Sequence, residues 1–477
     1  MSTKIRTIIT QDGEIDDQNS LRHALLYAND MEIQGIILTS SIFHFQGVKG
    51  ALTPESKPDY TKPYRFTGTT WMDEMIEDYK QVYPNLIQVD TNYPTPEYLH
   101  SITKIGNIGY PGEMLQASDG SILIKEKILD QDPRKLYIQL WGGANTLARA
   151  LYDLEQEYKN QDNWLEIKKQ IEDKVIITAC GEQDDTYKNY ICEVYPNMQF
   201  VKCVQMGSYA YAWNNMPEGK SKETLRAPFM QEHILKNTGA LLEKYATWAD
   251  GKEYEGEEIN SQFGCNEKLL HEWWGKEMGL GTYQPYEFIS EGDSPTFLTL
   301  LPWGFKTLES FNYGGIAGRY QLDPTYKNSK DQQVNYWIPM TCHYQQEDGK
   351  LVETESMWPY VEAIQKDFAA RGAWCTLRYK TLPPQIHLIE DDSQIAFANQ
   401  TITLNVQAND QVDFDFIYDQ DVSNYPYKLT LNKNKTSVTF TIDPSAKEKD
   451  FISLIIKATT KDAFEVTRYK QIILSIK

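Results

Sequence analysis

The chain has 477 residues, with 67 acidic against 47 basic side chains and a formal net charge of −20. That length allows two or three domains, and 41% apolar with 24% charged content is globular rather than disordered. The negative balance excludes a phosphate-backbone partner such as nucleic acid, and no run of about 18 apolar residues offers a membrane span.

In chain order, "IRTIIT" (5–10) predicts a short buried strand. No signal peptide precedes it, so the expectation is either a cytoplasmic chain or the trimmed form of an exported one. "DDQNSLRHALLYAND" places Leu21, Ala24, Leu25 and Ala28 at helical spacing. "EIQGIILT" (32–39) predicts a second strand, and residues 70–83 a long helix. A helix over 121–131, a strand over 135–143 ending in two glycines, and an amphipathic helix over 144–158 continue the alternation. A strand over 174–180, a helix to about Tyr195 and a strand over 198–207 extend it. Strand–helix alternation of this kind predicts an α/β fold with a doubly wound, mostly parallel sheet. Residues 210–290 read as mixed helix and loop; 291–305 restarts an ordered pattern, and 358–375 is a helix.

After "LPPQ" (382–385) the texture changes to short strands of alternating apolar and polar residues with Asn/Asp turns, the pattern of an all-β sandwich. The expected domains are therefore 1–381 and 386–477. Six cysteines are scattered without a CxxC spacing, which predicts buried free thiols rather than a disulfide framework or zinc site.

The stretch "TQDGEIDDQNSL" (10–21) carries Asp12, Glu14, Asp16 and Asp17 where the first strand leaves the core. One acidic residue near a helix N-terminus contributes about 1 kcal/mol through capping and the dipole. Four at one turn repel each other, and a cap rewards only one of them. A hard cation rewards all four, since calcium takes six to eight oxygen ligands. "SSIFHF" after the second strand and "GGANT" after the 135–143 strand also lie at carboxyl ends of strands, where doubly wound folds gather their functional groups.

The D-x-x-x-D-D spacing of Asp12, Asp16 and Asp17 resembles the nucleoside hydrolase signature. "WGGANTLARAL" (141–151) is similar to that family's segment with a calcium-ligating carbonyl, and "EGDSP" (291–295) falls where its last calcium-binding Asp lies. A closer resemblance is to a nucleoside-hydrolase-like family of bacterial polysaccharide-degrading systems, typified by a cellulose-binding protein. It rests on "TQDGEIDD", "SSIFHF", "WGGANTLA", "EGDSPTFL", "KDFAARGAW" and the trailing immunoglobulin-like β domain.

The resemblance implies Ca2+ held by Asp12, Asp17, Asp293 and the carbonyl of Asn145, with Asp12 also the general base for an attacking water. It implies that Asp16 binds sugar hydroxyls. It favours an exported chain and a carbohydrate or glycoside substrate; a homo-oligomer stays open. True nucleoside hydrolases carry a His before the last Asp, where this chain has Gly292. The expected activity is therefore hydrolysis of a glycosyl bond whose leaving group is not a nucleobase; the alternative is a non-catalytic polysaccharide-binding protein on the same scaffold. An acid to assist departure is missing from the motif, and Glu14 and Glu291 are the candidates.

Other residues carry two readings each. His44 either contacts substrate or packs in the core. Asn214 and Asn215 either bond a sugar beside Tyr209 or Trp213, or are turn residues beside core aromatics. Tyr418, Tyr425 and Tyr427 read as sandwich residues rather than a glycan site.

Overall fold

The computed structural model describes residues 4–257, 263, 283–345, 349–390 and 395–477. Its centre is an eight-stranded sheet in the order β3-β2-β1-β4-β5-β6-β8-β7. The strands are β1 (Ile5–Gln11), β2 (Met31–Leu38), β3 (Thr103–Ile105), β4 (Leu136–Leu140), β5 (Val175–Ala179), β6 (Gln199–Lys202), β7 (Tyr320–Leu322) and β8 (Tyr336–Pro339). All neighbours pair in parallel except β7 and β8. The expected doubly wound sheet is therefore present.

Strands buried on both faces need apolar residues at successive positions. Ile8 and Ile9 show why. Ile8 points into one layer with Leu147 and Ile177, and Ile9 into the opposite layer with Leu25 and Phe297. The β1–β2 register shifts between Thr7 and Ile8, where β2 carries Gln34 as an extra residue. That bulge turns Gln34 toward the buried Arg6, whose Nε and Nη2 donate to Gln34 Oε1 at 3.2 and 3.0 Å.

Helix α1 (Ile15–Leu26) follows β1 and crosses back to β2; every residue in it but Gln18 is buried. Chain order reverses between β1 and β4: β2 and β3 build outward on one side, β5 and β6 on the other. Such a reversal leaves a crevice at the carboxyl ends of the two central strands. The acidic turn after β1 opens into it.

Several boundaries differ from the sequence expectation. The 70–83 helix runs on as Trp71–Val89, through Pro84, and the 121–131 helix spans Asp119–Leu129. The 198–207 strand stops at Lys202 and turns into the short helix Met206–Tyr209. The edge strands β3 and β7, and β8 beside β7, are three to four residues long, too short to show a period. The cysteines Cys180, Cys192, Cys203, Cys342 and Cys375 are free thiols, and Cys265 lies outside the described residues.

Two four-stranded sheets form the C-terminal sandwich. One contains Ile386–Leu388, Thr401–Ala408, Ser437–Thr441 and Asn432–Lys433; the other contains Ile395–Ala396, Val412–Tyr418, Phe451–Thr460 and Thr467–Ile476. Leu404, Phe440, Ile452 and Leu474 fill the space between them. Tyr425 belongs to this core, and Tyr418 and Tyr427 pack against it.

A buried ionic cluster ties the sandwich to the α/β layer. Asp367, on the helix Val361–Trp374, accepts from Arg371 Nε at 3.0 Å and from Arg468 Nη1 of the sandwich at 2.8 Å. Tyr27 Oη donates to the same carboxylate. Arg371 also donates to the Leu26 carbonyl at 2.8 Å and to Asn29 Oδ1 at 2.7 Å, and pairs with Asp30. Burial alone would raise the Asp367 pKa; the charges of Arg468 and Arg371 outweigh it and hold the carboxyl below its usual value. A depressed carboxylate stabilises the fold above its unfolded pKa of about 4, and that contribution is lost as pH falls through its own lower value.

Asp367→Ala strands two buried guanidinium groups. It should cost about 3–5 kcal/mol, read as a lower urea midpoint at neutral pH. The gap to the parent should narrow at acid pH. The double variant with Arg468→Ala should recover part of the loss.

Candidate functional site

Six acidic and basic side chains converge on the crevice beyond β1 and β4. Gly13 makes the turn possible. Its φ is +87°, and a Cβ there would lie 2.3 Å from Thr67 Oγ1, so only glycine fits. Gly142, after β4, allows the two loops to meet: a Cβ on it would come within 2.9 Å of Asp12 Cβ.

Capping does not account for the acids. Glu14 occupies the N-cap of α1 and makes no side-chain capping bond. Instead Asp12 N donates to Asp17 Oδ1 at 3.1 Å, and Glu14 N to Asp12 Oδ1 at 3.2 Å. Asp16, Asp17 and Asp293 are all buried, and each can place an oxygen within 4.8 Å of one from each of the others. Asp293 sits just ahead of the short helix Ser294–Leu298, which packs against α1. Asp16 accepts from Ser290 Oγ at 3.3 Å. The second oxygens of Asp12 and Asp293 are buried without a hydrogen-bond partner.

Burial raises the pKa of Asp16 far above the ordinary carboxylate value, and the charges of Glu14 and Asp12 raise it further. Asp17 is raised by burial and then by Asp12 and Asp293; Asp293 by burial and then by Asp16 and Asp12. Like charges out of water are costly without a counter-ion. A compact set of carboxylates with orphaned oxygens fits a hard divalent cation, the class that takes all-oxygen ligands.

A second group adjoins the first. Asp12, Glu14 and His44 also bring ligand atoms within 4.8 Å of one another. His44 is wholly buried. The Ser41 hydroxyl, which accepts the backbone N–H groups of Phe43 and His44 at 2.9 and 3.2 Å, sets its loop. Glu14 Oε1 receives the Tyr211 hydroxyl at 3.1 Å and Arg65 Nη2 at 3.4 Å. Arg65 grips Glu257 through both carboxylate oxygens at 2.6 and 2.8 Å.

Of the residues singled out by sequence, Asp12, Glu14, Asp16, Asp17, His44 and Asp293 come together. Three sets do not join them. Glu291 stands apart: its carboxylate is wholly buried and bonded to His23 Nδ1 at 2.6 Å, Tyr245 Oη at 2.5 Å and Ser294 Oγ at 2.5 Å rather than to the acids of the crevice. Asn145 opens the helix Asn145–Tyr158; its side chain bonds Thr39 Oγ1 at 2.7 Å, Ser40 Oγ at 3.0 Å and the Asn107 carbonyl at 2.8 Å and so braces loops, bonds that leave the expectation for its backbone carbonyl untouched. Asn214 and Asn215 lie on the turn Trp213–Asn215, with Asn215 exposed and Trp213 and Tyr209 in the core.

Sequence reasoning missed Arg65, Tyr211, Glu257, Ser290 and Cys180. The first three lie in segments without strand–helix periodicity. Cys180 ends β5, a strand end where a polar residue is worth attention. Burial, then Asp293 and Asp16, push its thiol up. Gly292 faces the same space: a Cβ on it would meet Asp16 Oδ2 at 3.2 Å and Cys180 Sγ at 3.5 Å.

Comparison with known proteins places this geometry. A nucleoside hydrolase-related protein of Saccharophagus degradans, described as associated with carbohydrate metabolism, superposes over 100% of both chains with a TM-score of 0.69 at 20% identity, and so shares the fold. A plant nucleoside hydrolase, PpNRh1, aligns with 77% of this chain and 99% of its own at a TM-score of 0.36 and 10% identity. No curated protein matches the sequence. A family model described as cellulose-binding Sde182, nucleoside hydrolase-like domain, matches residues 6–320, and the chain belongs to that family.

Proposed function

We propose that the chain is a calcium-dependent hydrolase of glycosyl bonds acting on a carbohydrate or glycoside. The observation that carries this reading is the pair of buried, unpartnered oxygens on Asp12 and Asp293, set among further buried carboxylates. Side chains do not retain such costs for packing.

Asp16, Asp17 and Asp293 would hold the ion, with Asp12 at its edge. A bound calcium lowers the pKa of a coordinated water and fixes sugar hydroxyls. Asp12 takes the proton of the attacking water in this reading, because the surrounding bonds leave one of its oxygens without a partner. Asp16 orients the sugar from the first turn of α1. Glu14, held by Tyr211 and Arg65 at the rim, is the proton donor toward the leaving group. With one carboxylate activating water and another assisting departure, the outcome is inversion. Gly292 leaves open the space beside Asp16 and Cys180, which suits a leaving group other than a planar base.

The second reading is a binding protein that keeps the cation to grip sugar hydroxyls and performs no chemistry. The family's description as cellulose-binding favours it.

Two outcomes test these readings. Calcium should raise the thermal midpoint, by about 2.7 kcal/mol of stability at a hundredfold excess over its dissociation constant, and Asp293→Asn should abolish that gain. Calorimetry showing no calcium uptake by the parent would remove the cation from the proposal. Separately, with calcium present, aryl glycosides, oligosaccharides and nucleosides are assayed for cleavage. At least one of the glycosides or oligosaccharides should be hydrolysed, with Asp12→Asn slowed by about 10²–10⁴-fold, the range for loss of a general base. Glycan binding without turnover on the whole panel leaves the binding reading standing.

A further inference from the structure

The crevice holds two donor sets of different chemistry. Asp16, Asp17 and Asp293 offer oxygen only; the neighbouring set contains an imidazole. His44 is wholly buried, yet neither ring nitrogen has a hydrogen-bond partner. Its Nδ1 lies 3.8 Å from Asp12 Oδ1 and 3.9 Å from Glu14 Oε2. Those spacings are too long for a hydrogen bond. Two ligands on one ion at about 2.1 Å, in tetrahedral array, stand about 3.4 Å apart, so the His44 nitrogen lies within about half an ångström of that spacing from each of the two carboxylates.

The other face of the ring is equally pointed. Nε2 lies 3.6 Å from Glu257 Oε1, and Glu257 is itself locked by Arg65. A carboxylate behind the far nitrogen is the arrangement that orients a metal-bound histidine and fixes its tautomer. Three carboxylates surround this buried imidazole, each at more than an ordinary hydrogen-bonding distance.

We propose that Asp12, Glu14 and His44 form a second cation site, selective for a borderline divalent transition ion of the Zn2+, Mn2+ or Co2+ class, with Glu257 as the residue that orients His44. Nitrogen ligation separates this class from calcium, which takes oxygen. Asp12 then lies between two ions, one oxygen turned to each. The inference shares Asp12 and Glu14 with the proposed hydrolase; an ion on Glu14 would take the place of its proton-donor role, and the second site does not require catalysis.

The full-length protein, stripped of metal with a chelator, is titrated with Co2+ in excess calcium and followed by visible absorption and calorimetry. One equivalent of Co2+ beyond bound calcium is expected, with a ligand-field band. His44→Gln should weaken it by at least about tenfold, and Glu257→Gln by about 10–100-fold, the usual loss when a supporting carboxylate is removed. Calcium uptake should be unchanged in both. Asp293→Asn should do the reverse, losing calcium and keeping Co2+. Glu14→Gln, at the half-buried rim, serves if His44→Gln does not fold by circular dichroism. The proposal is overturned if Co2+ does not bind with calcium present, if calcium competes it away, or if His44→Gln and Glu14→Gln both bind it as the parent does. Co2+ binding through His44 without calcium uptake would reject the calcium reading and leave this one standing.

Discussion

Mutual repulsion among buried carboxylates is the constraint around which the crevice is organised. Asp12, Asp16, Asp17 and Asp293 lie out of water and within reach of each other. Among the described residues, the arginine bonded to this group of acids, Arg65, reaches Glu14 and Glu257 at the rim and not the four aspartates. A protein that wanted only a stable turn would replace three of them at a gain. Keeping them requires a positive charge of another origin, and everything nearby serves to hold the acids close until it arrives.

The topology supplies the place. A parallel sheet whose order reverses at β1 and β4 separates the loops that leave those strands, and Asp12 emerges from one beside Gly142 in the other. The acids themselves come from two distant parts of the chain, the β1–α1 turn and the 291–298 segment. Ser290 and Cys180 line the contact between them. The site is thus a property of the fold's centre, whereas the rim residues Arg65, Tyr211 and Glu257 come from long connections outside the sheet.

This division explains what could be read in advance. β1, β2, β4 and β5 are runs of apolar residues bounded by turn signals, and their period and composition show them directly. Asp12, Asp16 and Asp17 were legible because charge density at a strand end has few other reasons, and Asp293 because a resemblance placed it. Glu291 was misjudged for a physical reason: neighbouring positions at a tight turn point opposite ways, and spacing does not say which faces the core. The His23 and Tyr245 side chains that claim it lie far away in sequence. The Asn145 side chain braces loops around Thr39, Ser40 and Asn107, a role that its place at a helix start does not announce. Arg65 and Glu257, 192 residues apart, carry no local pattern at all.

The sandwich domain has a structural relation to the acids that its distance in sequence conceals. α1 presents Asp16 and Asp17 at its amino end. Its carboxyl end and the turn beyond are gripped by Arg371 through the Leu26 carbonyl, Asn29 and Asp30, while Tyr27 bonds Asp367. Asp367 in turn holds Arg468, whose guanidinium also stacks 4.1 Å from the Trp303 ring. One buried helix therefore runs from the domain contact to the acidic crevice. Like charges held close tend to push their supporting backbone apart, and a ligand set is useful only if it stays within a fraction of an ångström of its geometry. Anchoring the far end of α1 by a fully paired ionic cluster opposes that tendency. The sandwich, whatever it binds on its outer surface, acts on the site as a brace.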